Sequence, residues 1–244
     1  MKIIMLAPIP DASPLIKFAR EAYGSLPDLT FLGTDTGIEV TLPQHLEYNV
    51  GPLLDKAAEI NKQGNCDALI MPCFGDIGLM ALRQVTSIPV LGAGETSLSI
   101  ASMMGDKIGI IIPEGNIVAP TEKMIKICQF TDRIVAMQTI EAFECLKIHT
   151  HPEWAGINIA NICLRIIREY NANVLIFGAL GFHWMLEQVR ELIGKEGFRT
   201  PIIEPVITTY HVARIVVELG LNQDRRVHTV GLKNITQNGV LHLF

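Results

Sequence analysis

The chain has 244 residues, 49% hydrophobic and 18% charged, with a net charge of −5 and a mean hydropathy of +0.32. So apolar a chain with so small a net charge is not intrinsically disordered, and 20 Gly and 13 Pro without a period exclude a collagen-like or low-complexity chain. A pI of about 5.8 and a single dense basic pair, Arg225-Arg226, argue against a nucleic-acid partner.

Met1-Lys2-Ile3-Ile4-Met5-Leu6 is apolar but runs straight into Ala7-Pro8-Ile9-Pro10. It lacks the separate basic region and long apolar run of a signal peptide, so it reads as a first β-strand. Helices are expected over 13–24, with Ser13 ahead of Pro14 in the first turn, and over 51–64. Ala68-Leu69-Ile70-Met71-Pro72 reads as a strand, followed by Cys73-Phe74-Gly75-Asp76 and a helix over 77–86. Gly92-Ala93-Gly94-Glu95-Thr96-Ser97 superficially suggests a phosphate loop, but it lacks the P-loop lysine and dinucleotide spacing. Thr96 or Ser97 reads as the cap of a helix over 95–104, ended by Gly105. The continuous apolar runs 108–112 and 174–177 suit strands buried on both faces. Helices are expected over 119–129, 155–170, 183–195 and 205–219, the last stopped by Gly220. His149-Thr150-His151 with Glu153 reads as a surface loop in preference to a metal site, and no metal is expected.

The longest apolar stretches are 108–113 and 174–185, and the second is broken by Gly178, Gly181 and His183. A spanning helix needs about 20 apolar residues, so no membrane segment is expected. The five cysteines, 66, 73, 128, 145 and 163, form no Cys-x-x-Cys pair and fit a cytoplasmic protein with reduced thiols.

An internal repeat organises the chain. Lys2-Ile3-Ile4-Met5-Leu6-Ala7-Pro8 matches Lys107-Ile108-Gly109-Ile110-Ile111-Ile112-Pro113, and Ala68-Leu69-Ile70-Met71-Pro72-Cys73-Phe74-Gly75 matches Val174-Leu175-Ile176-Phe177-Gly178-Ala179-Leu180-Gly181. Ile88-Pro89-Val90 then matches Thr200-Pro201-Ile202. Two similar α/β halves with parallel sheets follow: a first lobe over 1–105 plus 205–244 and a second over 106–204. Ligands in such sheets bind beyond the carboxyl ends of the strands, here 7–11, 72–76, 92–97, 113–116 and 178–182, so the cleft between the halves is the expected site.

Cys73 stands at one of those ends. Either it is a small buried hydrophobe, or it faces the backbone N–H groups of a helix start, which favour the thiolate. The other four cysteines read as core or helix-face residues. Asp76 either polarises the thiol or caps a helix.

Cys73-Phe74-Gly75-Asp76-Ile77-Gly78-Leu79, Ala81-Leu82-Arg83 and Ile88-Pro89-Val90-Leu91-Gly92 resemble the first-cysteine motif of the aspartate/glutamate/hydantoin racemase superfamily, nearest its hydantoin branch. Gly37-Ile38-Glu39, Thr200-Pro201-Ile202-Ile203-Glu204-Pro205-Val206 and the tail 231–242 extend the resemblance over nearly the whole chain. It implies two pseudo-symmetric α/β lobes, one catalytic cysteine from each, facing across the cleft, and no cofactor. Two features depart from the pattern. The second cysteine of that family sits in a Gly-Cys-x-Gly loop, where this chain has Gly178-Ala179-Leu180-Gly181. The hydantoin branch opens its first loop with an Asn-Pro-Asn-Thr type sequence, where this chain has Ala7-Pro8-Ile9-Pro10-Asp11.

Racemisation without a cofactor needs a base on one face of the carbon and an acid on the other, and alanine is neither. His183, four positions past Ala179, is either a substitute acid or a partly buried helix-cap histidine. The resemblance implies a small carbon-acid substrate, a hydantoin or amino-acid derivative, in a homo-oligomer. It would be held by Pro8, Ile9, Phe74, Gly75, Asp76, Glu95, Thr96, Ser97, Gly178, Leu180, Gly181 and His183, with backbone amides near Phe74-Gly75 and Leu180-Gly181 as oxyanion donors. The rival readings are a one-cysteine decarboxylase or isomerase and a non-catalytic small-molecule binding protein.

Overall fold

The computed structural model describes residues 1–40, 42–113, 115, 117–141 and 151–224. Cys145, His149, Thr150, Arg225, Arg226, the tail 231–242 and parts of the 113–116 strand end lie outside the described residues.

Two four-stranded parallel sheets share one strand order. In the first, β2 (Leu29–Thr34), β1 (Ile3–Pro10), β3 (Ala68–Met71) and β4 (Val90–Gly92) lie side by side; in the second, β6 (Ile134–Ile140), β5 (Ile108–Pro113), β7 (Val174–Phe177) and β8 (Ile202–Ile203) repeat that order. The repeat appears again as register. Ile3, Ile4 and Met5 pair with Ala68, Leu69 and Ile70, and Ile108, Gly109 and Ile110 pair with Val174, Leu175 and Ile176.

Alternation of side chains across a strand explains why these runs are apolar on both faces. Ile4, Leu6, Leu69 and Met71 face inward to a core shared with Ile108, Ile110, Ile112, Val174 and Ile176 of the second sheet. Ile3, Met5, Ala68 and Ile70 face an outer core with Ile16, Tyr23 and Tyr210. Ile111, Leu175 and Phe177 face the outer core of the second sheet, against Cys163 and Phe182. The two halves are therefore cemented by a common inner layer.

The helices are α1 (Pro14–Tyr23), α2 (Pro43–Tyr48), α3 (Val50–Gln63), α4 (Leu79–Val85), α5 (Ala93–Met104), α6 (Val118–Ile127), α7 (Pro152–Tyr170), α8 (Leu186–Lys195) and α9 (Pro205–Glu218). Ser13 caps α1, accepting from the Leu15 N–H at 3.3 Å, with Pro14 in the first turn. Helix α9 leaves the second sheet at β8 and packs on α5, β1 and β3.

Several expected boundaries are corrected. β1 continues through Pro10, so 7–10 is strand and not loop. Helix α4 starts at Leu79, two residues late, because Asp76 and Gly78 hold positive φ angles of 49° and 74° that no helix accepts. Helix α5 starts early, at Ala93. The helix expected over 183–195 splits into a 3-10 turn, Leu180–Met185, and α8. β2, β6 and α2 had no counterpart in the sequence reading.

Candidate active site

A cavity of about 180 Å³ opens where the strands of both sheets end. β1 contributes Ala7, Pro8 and Ile9; Pro72, Cys73 and Phe74 follow β3; Gly178 and Ala179 follow β7; Pro205 and Val206 open α9. Leu15, Val40, Leu46, Pro113 and Ile117 complete the wall. Cys73 and Ala179 thus meet the same space from equivalent positions in the two halves. Cys73 carries the one titratable side chain among the described residues that line it.

Glycines let the two loops touch. A Cβ at Gly178 would stand 2.8 Å from the Phe74 ring, and one at Gly75 would stand 2.7 Å from Pro120, so each loop lies directly against the opposite half.

The Cys73 thiol is desolvated by this apolar surround, and burial pushes it up to about 12. The Gly75 and Ile77 N–H groups reach the sulfur and act the other way, whereas nearby Asp76 adds to the rise. This corrects the expectation of a favoured thiolate. Helix α4 starts six residues beyond Cys73, and two amides do not offset the lost solvation.

Asp76 caps a helix, but not the one it precedes. Its carboxylate accepts from the Gly94 and Glu95 N–H groups at 2.9 and 2.7 Å, closing the first turn of α5, and burial raises its pKa to about 7. The N-cap expected of Thr96 or Ser97 is therefore supplied from another loop. Ser97 is fully buried and donates to Ala93 O at 2.6 Å. Glu95 pairs with Arg83, which also donates to Val90 O at 3.0 Å.

Of the expected binding residues, the structure brings Pro8, Ile9, Phe74 and Gly178 into the cavity with Cys73 and Ala179. Gly75, Asp76 and Glu95 line a neighbouring cavity of about 540 Å³ against Pro120, Met124 and Cys128. Thr96 faces a separate depression beside Ile100 and Phe130. Leu180, Gly181 and His183 lie in the 3-10 turn after Ala179. The His183 ring packs 4.8 Å from Tyr23, its Nδ1 is buried without a hydrogen-bond partner among the described residues, and burial lowers its pKa.

Sequence reasoning gave no site role to Leu15, Val40, Leu46, Ile117 or Val206, which line the cavity. It also missed Asn49, fully buried, whose side chain donates to Pro8 O at 2.9 Å and Ile38 O at 2.8 Å and accepts from the Ile38 N–H at 3.0 Å. Asn49 ties the Gly37–Val40 stretch to the end of β1; the flagged Gly37-Ile38-Glu39 was the nearest signal. Among the described residues, no group of three or more His, Cys, Asp or Glu side chains could hold a metal, and no helix is long and apolar enough to cross a membrane.

Residues 38–213 match the family model described as Asp/Glu/Hydantoin racemase. A hydantoin racemase from Pseudomonas sp. (strain NS671) is 26% identical over 71% of this chain and 68% of its own length. An allantoin racemase from Pseudomonas fluorescens superposes with a TM-score of 0.81 at 21% identity, covering 95% of this chain and 97% of that one. Arylmalonate decarboxylase superposes with a TM-score of 0.60 at 13% identity, covering 88% and 92%. The family match and the doubled parallel sheets together define a racemase-family α/β enzyme. The chain belongs to the Asp/Glu/hydantoin racemase family.

Proposed function

We propose that the chain is a cofactor-independent enzyme that uses Cys73 to move a proton at a carbon next to a carbonyl, on a hydantoin or a small amino-acid derivative. The observation that carries this reading is the shared cavity. Cys73 meets it from one half and Ala179 from the other, with no second titratable side chain among the described lining residues. The family membership and the hydantoin and allantoin racemases among its relatives support the substrate class.

The chemistry is one-sided. The sulfur, as thiolate, takes the α-proton and leaves an enolate whose charge sits on the carbonyl oxygen; the thiol then returns a proton to the same face. Inversion needs a donor at position 179, and a methyl group supplies none. With a thiol raised to about 12, the thiolate at pH 8 is about four pH units from its midpoint, a cost of roughly 5 kcal/mol. The reaction in this chain is therefore slow exchange with retention. Replacing Ala179 with cysteine raises racemisation of a 5-substituted hydantoin by about 10²–10⁴-fold, followed by the decay of optical rotation. A folded, substrate-binding Ala179→Cys enzyme that racemises none of these carbon acids overturns the reading.

One observation favours a second reading. A neutral thiol in an apolar cavity is better suited to giving a proton than to taking one. In a malonate-type acid, loss of carbon dioxide leaves the electron pair on the α-carbon, and the Cys73 S–H protonates it; water then restores the thiol. Carbon dioxide release from a substituted malonate, absent in Cys73→Ala, would select this one-cysteine decarboxylase.

A further inference from the structure

Glu204 stands where the chain passes from β8 of the second sheet to α9, which packs on the first. It is 3% exposed. Its carboxyl group accepts from the Ile207 N–H at 2.7 Å and from the Tyr23 hydroxyl, 181 positions away in the chain, at 3.0 Å. The Val206 N–H also reaches it.

A helix cap alone does not call for this residue. Ser, Thr, Asp and Asn are the usual caps, being short enough to fold back on the first turn. Glutamate is longer, and here the extra reach takes the carboxyl to a second partner on α1. A buried carboxyl is costly to desolvate, and that cost is offset only when its hydrogen bonds are made.

Each partner leads to a different wall of the 180 Å³ cavity. Val206, in the turn that Glu204 caps, lines it, as does Leu15 at the start of the helix that Tyr23 ends. The Tyr23 ring packs 4.8 Å from His183, and Phe18 on the same helix packs 3.8 Å from Trp184; both partners lie in the 3-10 turn directly after Ala179. One buried hydrogen bond therefore ties α9, α1 and the Ala179 segment together.

We propose that Glu204, through Tyr23, is a positioning residue that holds the two halves in register around the cavity, so that Cys73 meets a bound substrate at a fixed distance. This rests on the reading of the cavity as the reaction site. Misplacement of about 1 Å costs roughly 10²-fold in rate, so a loosened wall acts on turnover more than on binding.

Tyr23→Phe removes the hydroxyl and leaves the helix cap in place. Its expected effect is a fall in kcat for solvent exchange of 10-fold or more with KM changed less than threefold, per folded enzyme. Glu204→Gln, whose amide oxygen keeps the helix cap while its NH2 donates to the Tyr23 hydroxyl, keeps a hydrogen bond between the two side chains and should retain at least a third of the native kcat. A parallel readout needs no turnover: the iodoacetamide alkylation rate of Cys73, followed by peptide mass mapping, should rise at least fivefold in Tyr23→Phe and stay near native in Glu204→Gln. An unchanged alkylation rate in folded Tyr23→Phe overturns the positioning role, whether or not exchange is seen. So does a kcat that stays native while only the melting temperature falls. Native enzyme without exchange, but with faster alkylation in Tyr23→Phe, upholds the register role and counts against the proposed reaction alone.

Discussion

At Cys73 two opposed effects act on one sulfur: two backbone N–H groups stabilise the thiolate, and an apolar wall removes the water that would do more. Burial wins, and the group rests as a thiol. The rate of Cys73-dependent exchange should therefore rise about tenfold per pH unit from pH 7 to 10 without levelling, because the thiolate fraction climbs throughout that range. A plateau near pH 8 would show a thiolate stabilised by something other than these amides. The Cys73 position was legible from the strand-end motif, but its protonation was not. Proximity to a helix start suggests a low pKa, whereas the deciding factor is a wall assembled from Val40, Leu46, Ile117 and Val206, distant in the chain. Asp76 teaches the same lesson: its capping role was readable, but the helix it caps begins 17 positions later and meets it only through the fold.

At the scale of elements, the central strands were legible because each is a continuous apolar run buried on both faces. The edge strands β2 and β6 were not. Both are partly buried: β2 mixes polar and apolar side chains, and in β6 the apolar start Ile134–Met137 runs straight into Gln138 and Thr139. Helix α2 is one and a half turns long, too short for a periodic pattern, yet it places Leu46 on the cavity. Close contact between the loop after β3 and the loop after β7 depends on glycine. Gly178→Ala would put a methyl 2.5 Å from the Ile112 side chain and 2.8 Å from the Phe74 ring. The expected cost is about 1–3 kcal/mol in urea unfolding, with Phe74 pushed toward the cavity and exchange reduced. Native stability and native exchange in the Gly178→Ala protein would contradict that packing.

The whole molecule is a duplicated sheet whose halves share an inner core, with Ile4 and Leu6 of one meeting the layer of Ile108, Ile110 and Ile112 of the other. The internal repeat predicted the duplication, and the common strand order accounts for why each match falls on a strand. Shortening Ile110 to alanine in that layer should cost about 2–5 kcal/mol and unfold both halves in one transition; two separate transitions would contradict a shared core. The buried carboxyls of Asp76 and Glu204 also set how stability responds to pH. Burial raises both to about 7, above their ordinary values of 3.8 and 4.5. Between about pH 4 and 7 the folded state holds more protons than the unfolded one, so stability from these groups is fully present below pH 4 and is lost as pH rises through 7. The urea midpoint should fall over that window, and the Asp76→Asn and Glu204→Gln changes should each flatten the slope; an unchanged slope in both would show that neither group is raised.

The central claim is that Cys73 alone moves the proton. It is tested most directly by proton NMR of a single enantiomer of a 5-substituted hydantoin in heavy water, with native enzyme and with Cys73→Ala. The α-hydrogen signal should disappear with the native chain while optical rotation is retained, and should persist with Cys73→Ala at the rate without enzyme. Equal exchange by the two proteins, or loss of optical rotation as fast as the α-hydrogen signal with the native chain, would contradict it.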